Sequence, residues 1–438
     1  MSESGGTPLR RAVSRWQIVG FSLNDVVGSG VYLLPAEAAL LLGAASVWAV
    51  GLAGLAVFLL VLCFAEASSR FDEPGSAYLY AKTAFGDLAG FEVGWMAWLT
   101  RVASVASLSV GFAQALSFLV PAVGDGLGKQ LAIALPLLAL TAINLIGVES
   151  GMRAAIFLVL TKILPLLVFV GAGVFAFSPE TFAGQTAAPL APGQNPLGEA
   201  ALLLLFAYAG FENTAAPAGE FKNPKRDVPF ALLVQIGLVT LLYFAVQAVA
   251  LGTLPNVAAS KTPLADAARG FLGNWGGWLL TVGGALSILG TNSNTVLAGP
   301  RYLYALAKGG FGPSWLSDRL AWVHPKWQTP AVAILVQTAI ALPLALTGSF
   351  VQLAALSAVT RLAVYFATAL SVPVLRHKFR DRPAGFTIPG GLLVPVAAVI
   401  VTLVLASAAS ARNLIAAAIA LVVGALLYTL RSHRPSSI

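Results

Sequence analysis

The chain has 438 residues, of which 58% are hydrophobic and only 10% charged, with a formal net charge of +8 and a mean hydropathy of +0.84. An ordinary soluble domain carries roughly a quarter charged residues, so this composition excludes that class and points to a polytopic membrane protein.

Apolar runs of roughly 18 to 25 residues, each long enough to cross a bilayer as a helix, begin near Trp16, Ser46, Leu88, Leu131, Ala154, Leu197, Val228, Trp275, Thr329, Phe350, Gly390 and Leu414. They amount to about 12 spans. Short cytoplasmic loops retain Lys and Arg. With the N-terminus inside, basic residues such as Arg10, Arg11, Arg15, Arg70, Lys82, Lys222, Lys225, Arg226, Lys308, Arg376 and Lys378 fall on the cytoplasmic side, whereas only Lys129, Lys261, Arg269 and Arg412 fall outside. The net charge is therefore a topology signal and no nucleic-acid footprint. Both termini are expected in the cytoplasm, and the compartment is expected to be a plasma (inner) membrane.

The polar start, 1–8, followed by Arg10 and Arg11, lacks a short apolar segment ending in a small-residue cleavage site, so no removable signal peptide is expected. Cys63 is the single cysteine. It excludes an internal disulfide and leaves the outer loops without a thiol for a disulfide-linked partner subunit. His324, His377 and His433 are isolated from one another and from Cys63, so neither a metal site nor a cofactor is expected. The expected partners are a substrate and the lipid bilayer, and the chain is expected to act as a monomer or homodimer.

In span one, Gly28-Ser29-Gly30 interrupts the apolar run, and Ala209-Gly210-Phe211-Glu212 interrupts span six. Broken helices at corresponding places in two halves mark a secondary transporter with its substrate near the midplane. Glycine lets the backbone unwind and a ligand approach. The N–H groups opening the outer half-helix, with the Ser29 hydroxyl, suit a carboxylate. Carbonyls ending the inner half-helix suit an ammonium group, so a zwitterionic amino acid fits the split. A close helix contact through small residues is the competing reading of Gly-Ser-Gly. Glu212 argues against that reading, because an intramembrane acid is functional or paired by default.

Three segments outside the spans follow in order. Residues 74–82 suit a short helix at the interface after span two. The Pro-, Gly- and Ala-rich stretch 178–196 is expected to be irregular connection. Residues 263–269 read as a short outer helix, and span eight is expected to continue through Arg301 and Lys308 until Gly309-Gly310 stops it. Asp25 and Glu66 are placed near cytoplasmic helix ends, where solvation accounts for them as well as a gate would. Arg361 falls in span ten with no assigned role.

Several motifs taken together resemble the amino acid-polyamine-organocation transporter superfamily. They are Gly28-Ser29-Gly30-Val31-Tyr32-Leu33-Leu34-Pro35, Ala65-Glu66, Pro74-Gly75-Ser76-Ala77-Tyr78, Gly94-Trp95, Gly210-Phe211-Glu212, Glu220-Phe221-Lys222-Asn223-Pro224-Lys225-Arg226-Asp227-Val228-Pro229, and Arg301 to Pro313. The resemblance covers nearly the whole chain. It implies an all-α membrane protein with a five-plus-five inverted repeat and discontinuous helices one and six. The expected divisions are tails at 1–15 and 431–438, repeats at 16–177 and 198–376 within a core ending at 389, and two further helices in 390–430.

The same resemblance implies amino acid or amine substrates and alternating access. Gly28, Ser29 and Gly30 would hold the substrate carboxylate, Ala207 to Gly210 the amino group, and Phe206 would lie over the substrate as a gate, against the alternative of a lipid-facing Phe. Lys162 sits mid-span, where a charge is costly unless paired, hydrated or neutralised. It looks like the span-five lysine that replaces a bound cation in sodium-independent relatives, and with Glu212 it is the candidate for proton coupling. A permanent tether to a helix-one carbonyl is the alternative.

Arg101 and Asn294 fall where arginine and agmatine exchangers carry an amide and an aromatic. A fixed guanidinium would repel a cationic substrate, so neutral or polar amino acids are favoured and acidic ones remain open. The alternative is that Glu212 or Asp25 neutralises Arg101, and the sequence alone does not assign the pair. The function expected is sodium-independent amino acid transport, proton-coupled or by exchange. A polyamine or cationic amino acid exchanger is the alternative within the family, and an amino acid sensor the alternative outside it. A membrane enzyme would need a nucleophile-base pair or metal cluster, and neither is apparent.

Overall fold

The computed structural model describes residues 13–71, 76–146, 152–189, 195–215, 218, 221–381 and 384–431, with backbone alone for 152–158. The start to residue 12, Pro74, Gly75, Glu220 and the tail from 432 lie outside the described residues.

The described elements are all helical apart from one isolated bridge between Val13 and Phe221. In hydrocarbon every backbone N–H and C=O must be paired within its own element, which leaves the helix as the solution for a chain of this composition. The order is α1 (Arg15–Val26), α2 (Ser29–Leu42), α3 (Ser46–Ser68), α4 (Ser76–Phe85), α5 (Asp87–Leu116), α6 (Gly126–Ile146), α7 (Met152–Gly173), α8 (Pro179–Ala183) and α9 (Pro196–Ala207). It continues with α10 (Pro224–Thr253), α11 (Pro263–Lys308), α12 (Ser314–Leu320), α13 (Ala331–Thr347), α14 (Phe350–Lys378), α15 (Leu393–Ser407) and α16 (Ala411–Thr429). Each predicted apolar run is occupied by one of these helices or by a broken pair. Among the described residues, 7 helical stretches are long and apolar enough to cross a membrane, and α13 and α15 are shorter apolar helices. The chain is an all-α, multi-pass membrane protein.

Helix α5 is the hub: it packs on α4, α6, α11, α13, α14 and α16, and from Thr100 to Gly111 every residue is buried. Large apolar side chains face outward elsewhere, including Trp48, Leu52 and Leu55 on α3 and Phe175 after α7, the distribution a lipid solvent favours.

Both expected breaks are present. Helix α1 ends at Val26 and α2 starts at Ser29, with Gly28 at φ −136° and ψ −143° between them. Helix α9 ends at Ala207, and Gly210, at φ 122°, leads into a 3-10 turn at Phe211–Asn213. Glu212 therefore lies in a turn just beyond the break, within the interruption of span six that the sequence marks.

Two readings are corrected. Asp25 is at the broken inner end of α1, its carbonyl packed against Gly210, and not near a cytoplasmic end. Ten residues of helix beyond Arg15 span about 15 Å, half the hydrocarbon core. The stretch 178–196 is also more than irregular connection. Ser178 accepts a hydrogen bond from the Thr181 N–H at 3.2 Å to cap α8, and Gln185 Nε2 donates to the Leu251 and Leu254 carbonyls at 2.9 and 2.7 Å. Residues 190–194 lie outside the described part. The short helices expected at 74–82 and 263–269 are α4, from Ser76 onward, and the first part of α11, which kinks at Gly273 (φ 69°).

Candidate functional site

The two breaks lie against each other. A Cβ on Gly30 would stand 2.5 Å from Ala207 Cα, and one on Gly210 would stand 2.7 Å from the Asp25 carbonyl oxygen. The Tyr243 hydroxyl is 3.2 Å from the Val26 carbonyl oxygen and 3.3 Å from that of Ala207, joining the two interrupted helices from α10. Glycine is required at both contacts, because any side chain would drive the backbones apart.

Where the helices part they leave a cavity of about 40 Å³, whose lining includes Gly28, Ser29, Gly30, Arg101, Phe206, Ala207 and Gly210. Seven of the residues singled out from the sequence thus meet at one place. The first turn of α2 presents its N–H groups there without a side-chain cap, and such a terminus attracts anions. Ser29 is 1% exposed, and its hydroxyl has no hydrogen-bond partner among the described residues. Phe206 is buried and meets Phe350 edge-on at 6.1 Å; it does not face lipid.

A second, larger cavity of about 540 Å³ adjoins the first, with Asp25, Arg101 and Asn213 lining both. Asn294 lines this larger one, together with Tyr78, Arg301, Tyr302 and Leu306. Asn294, Arg301, Tyr302 and Leu306 run along α11 toward its C-terminal end, and Phe21 of α1 joins them, so the cavity extends toward the face where α1 begins.

Asp25 is held by two amides. Asn213 Nδ2 donates to Oδ2 at 2.8 Å, and Asn294 Nδ2 donates to Oδ1 at 3.1 Å. Arg101 donates through Nη2 to Asn213 Oδ1 and stands 3.7 Å from Glu212 Oε1. The closer partner of Glu212 is Arg361, whose Nη1 donates to Oε1. Glu212 Oε2 accepts from the Tyr365 hydroxyl at 3.0 Å and from the Gly210 N–H at 3.0 Å. The acid is thus sealed beneath the break of span six and pins its backbone. It does not line the small cavity.

Lys162 lies behind α1, fully buried. Its Nζ donates to the Asn24 carbonyl at 2.7 Å and to Thr291 Oγ1 at 2.8 Å. Thr291 Oγ1 is also 3.3 Å from the Val27 carbonyl oxygen, so one lysine links α7 and α11 to the last turn of α1. It does not line the small cavity.

Reasoning from sequence missed Arg361, Asp25, Asn213 and Tyr365. A signal existed for the first two, since charge in an apolar span is functional or paired by default. The pairing of Arg361 with Glu212 joins residues 149 positions apart, and no spacing rule reaches that far. Glu66 is also more than a solvated helix end. It is fully buried, held by Arg376 at 2.6 Å through both oxygens, by Arg70 at 3.2 Å and by the Ile388 N–H at 2.9 Å.

Comparison with known proteins fits this geometry: the amino acid permease family matches residues 13–426. The chain belongs to that family. It is 26% identical to the branched-chain amino acid permease BcaP of Bacillus subtilis (strain 168), with 99% of this chain and 96% of that protein covered. It is 28% identical to the serine/threonine exchanger SteT of the same organism, over 86% of each chain. It is 25% identical to the cationic amino acid transporter 3, mitochondrial, of Arabidopsis thaliana, over 84% of this chain and 63% of that one. These relatives are transporters, and the chain is an amino acid permease of the amino acid-polyamine-organocation superfamily.

Proposed function

We propose that this permease carries a zwitterionic amino acid across the plasma membrane by alternating access, without sodium, as a proton-coupled carrier or an exchanger. The observation that carries the reading is the unpartnered Ser29 hydroxyl beside the uncapped α2 terminus, in a cavity formed where two broken helices meet. The substrate carboxylate takes the α2 terminus and Ser29. Its ammonium group takes the chain ends around Ala207 to Gly210, with Asp25 as the nearby countercharge.

Lys162 supplies a positive charge at the last turn of α1 and removes the need for a bound cation there. Its two hydrogen bonds to α1 and α11 are the contacts a change of protonation would alter, which makes it the coupling residue, with Glu212 as the second acid–base group. The bias of Lys and Arg toward the α1 start supports a cytoplasmic position for that face and both termini, and the 540 Å³ cavity is then an inward vestibule. Residues 16–177 and 198–376 form the two repeats, and 390–430 lie outside them.

Arg101 supports a neutral or polar amino acid, because a guanidinium lining both cavities repels a cation. A second reading, exchange of cationic amino acids or polyamines, draws on Asp25 lining the same two cavities. Counterflow in proteoliposomes without sodium tests both, with labelled amino acids and putrescine each set against the same unlabelled compound inside. Accumulation of a neutral or polar amino acid supports the first reading, and accumulation of arginine or putrescine alone replaces it with the second. No accumulation of any compound by folded protein would leave an amino acid sensor as the better description.

A further inference from the structure

The small cavity has a second unpaired polar group. Arg361 lines it and is 3% exposed. Its Nη1 donates to Glu212, and its Nη2 donates to Ser104 Oγ at 3.2 Å and to Ser357 Oγ at 3.3 Å. Among the described residues its Nε, like Ser29 Oγ, has no hydrogen-bond partner. A guanidinium nitrogen only donates, and a buried donor without an acceptor carries an uncompensated desolvation cost. Both groups belong to residues that line the cavity, so an acceptor brought by a ligand is what would satisfy them.

We infer that Arg361, with Arg101 beside it, makes this site select amino acids with short side chains ending in a carbonyl or carboxylate oxygen, of the asparagine and aspartate kind. The inference rests on the proposal that the cavity binds an amino acid. With the α-carboxylate at the α2 terminus and Ser29, the donors left over are on α5 and α14: Arg361 Nε and the N–H groups of Arg101 that Asn213 does not take; the Ser104 hydroxyl is already shared with Ser357 at 2.8 Å. A side-chain oxygen answers them. A leucine side chain would set methyl groups against them and leave them dry.

Charge and size point the same way. The charged groups around the breaks are Arg101, Arg361 and Lys162 against Asp25 and Glu212, an excess of cations that tolerates an anionic side chain and opposes a cationic one. A short tail keeps its terminal oxygen within the small cavity that Arg361 lines, whereas a longer one reaches past Arg101 into the larger cavity, which Arg361 does not line.

Counterflow initial rates of labelled asparagine, aspartate and leucine, at equal low concentration, test the inference. Asparagine or aspartate is expected to exceed leucine roughly tenfold or more, the worth of one charge-assisted hydrogen bond. The Arg361→Lys variant keeps a cation opposite Glu212 and loses Nε, so this ratio is expected to fall toward one, whatever happens to the absolute rate. Should that variant fail to fold, the wild-type ratio still decides, and asparagine- or aspartate-dependent thermal protection of purified wild-type protein, compared with leucine, gives an independent reading. Leucine exchange as fast as both polar amino acids overturns the inference alone. An undiminished ratio in Arg361→Lys removes Arg361 from it. Exchange of no amino acid by folded protein overturns it together with the transport proposal.

Discussion

A methyl group added at Gly30 tests whether the contact between the two breaks is part of the working site. In Gly30→Ala the new Cβ would lie 2.5 Å from Ala207 Cα and 2.6 Å from Ala207 Cβ. Non-bonded carbons are comfortable at about 3.5 to 4.0 Å, so the two chain segments must separate by about 1 Å. The neighbour is backbone on the second break and has no rotamer to escape into. Overpacking of this kind costs about 1 to 3 kcal/mol, read as lower thermal stability in detergent. The functional loss is expected to be larger, because displacing binding groups by about 1 Å can cost on the order of a hundredfold in rate. Gly237→Ala in α10 is the control, since no heavy atom comes within 4 Å of its added Cβ and alanine is the better helix former by about 1 kcal/mol. The assay is counterflow of the best substrate by equal amounts of folded protein. Wild-type exchange by Gly30→Ala would refute the claim that the two breaks jointly shape the binding site.

Other perturbations address the polar groups. Glu212→Gln leaves the buried Arg361 without its anion and is expected to cost about 3 to 5 kcal/mol of stability. Tyr365→Phe removes one hydrogen bond to the same carboxylate and is expected to cost about 1 kcal/mol, so thermal denaturation of the two variants checks their order. Lys162→Ala is expected to abolish uptake or flatten its dependence on pH, as measured by counterflow across a pH series; wild-type uptake with wild-type pH dependence would remove Lys162 from coupling. Arginine and lysine are expected to show no uptake at micromolar concentration, and measurable uptake of either would defeat the role given to Arg101 in substrate choice.

Much of the architecture was legible in the sequence because membrane insertion is written locally. Run length and apolarity mark the helices, and Gly28 and Gly210 mark the breaks because they interrupt corresponding spans of two halves and supply the backbone freedom an interruption needs. The loop 178–196 was misread because its order comes from Gln185 reaching the far end of α10, a contact with no local signature. Asp25 lies deeper than its place near the start of the span suggests, because ten helical residues beyond Arg15 reach about 15 Å into the hydrocarbon.

Composition, the apolar runs and the two glycine interruptions by themselves pointed to an all-α membrane protein with two broken helices, the pattern of a transporter. Those features depend on the solvent around each helix and on backbone freedom at single positions, both of which are local. Only the tertiary structure decided which charges meet. Arg101 had Glu212 or Asp25 as candidate partners, and the fold gave Glu212 to Arg361 and Tyr365, Asp25 to Asn213 and Asn294, and Lys162 to the Asn24 carbonyl. Each of these bonds crosses between helices distant in the chain, so its existence depends on how the helices pack and on the angle at which the two broken segments meet.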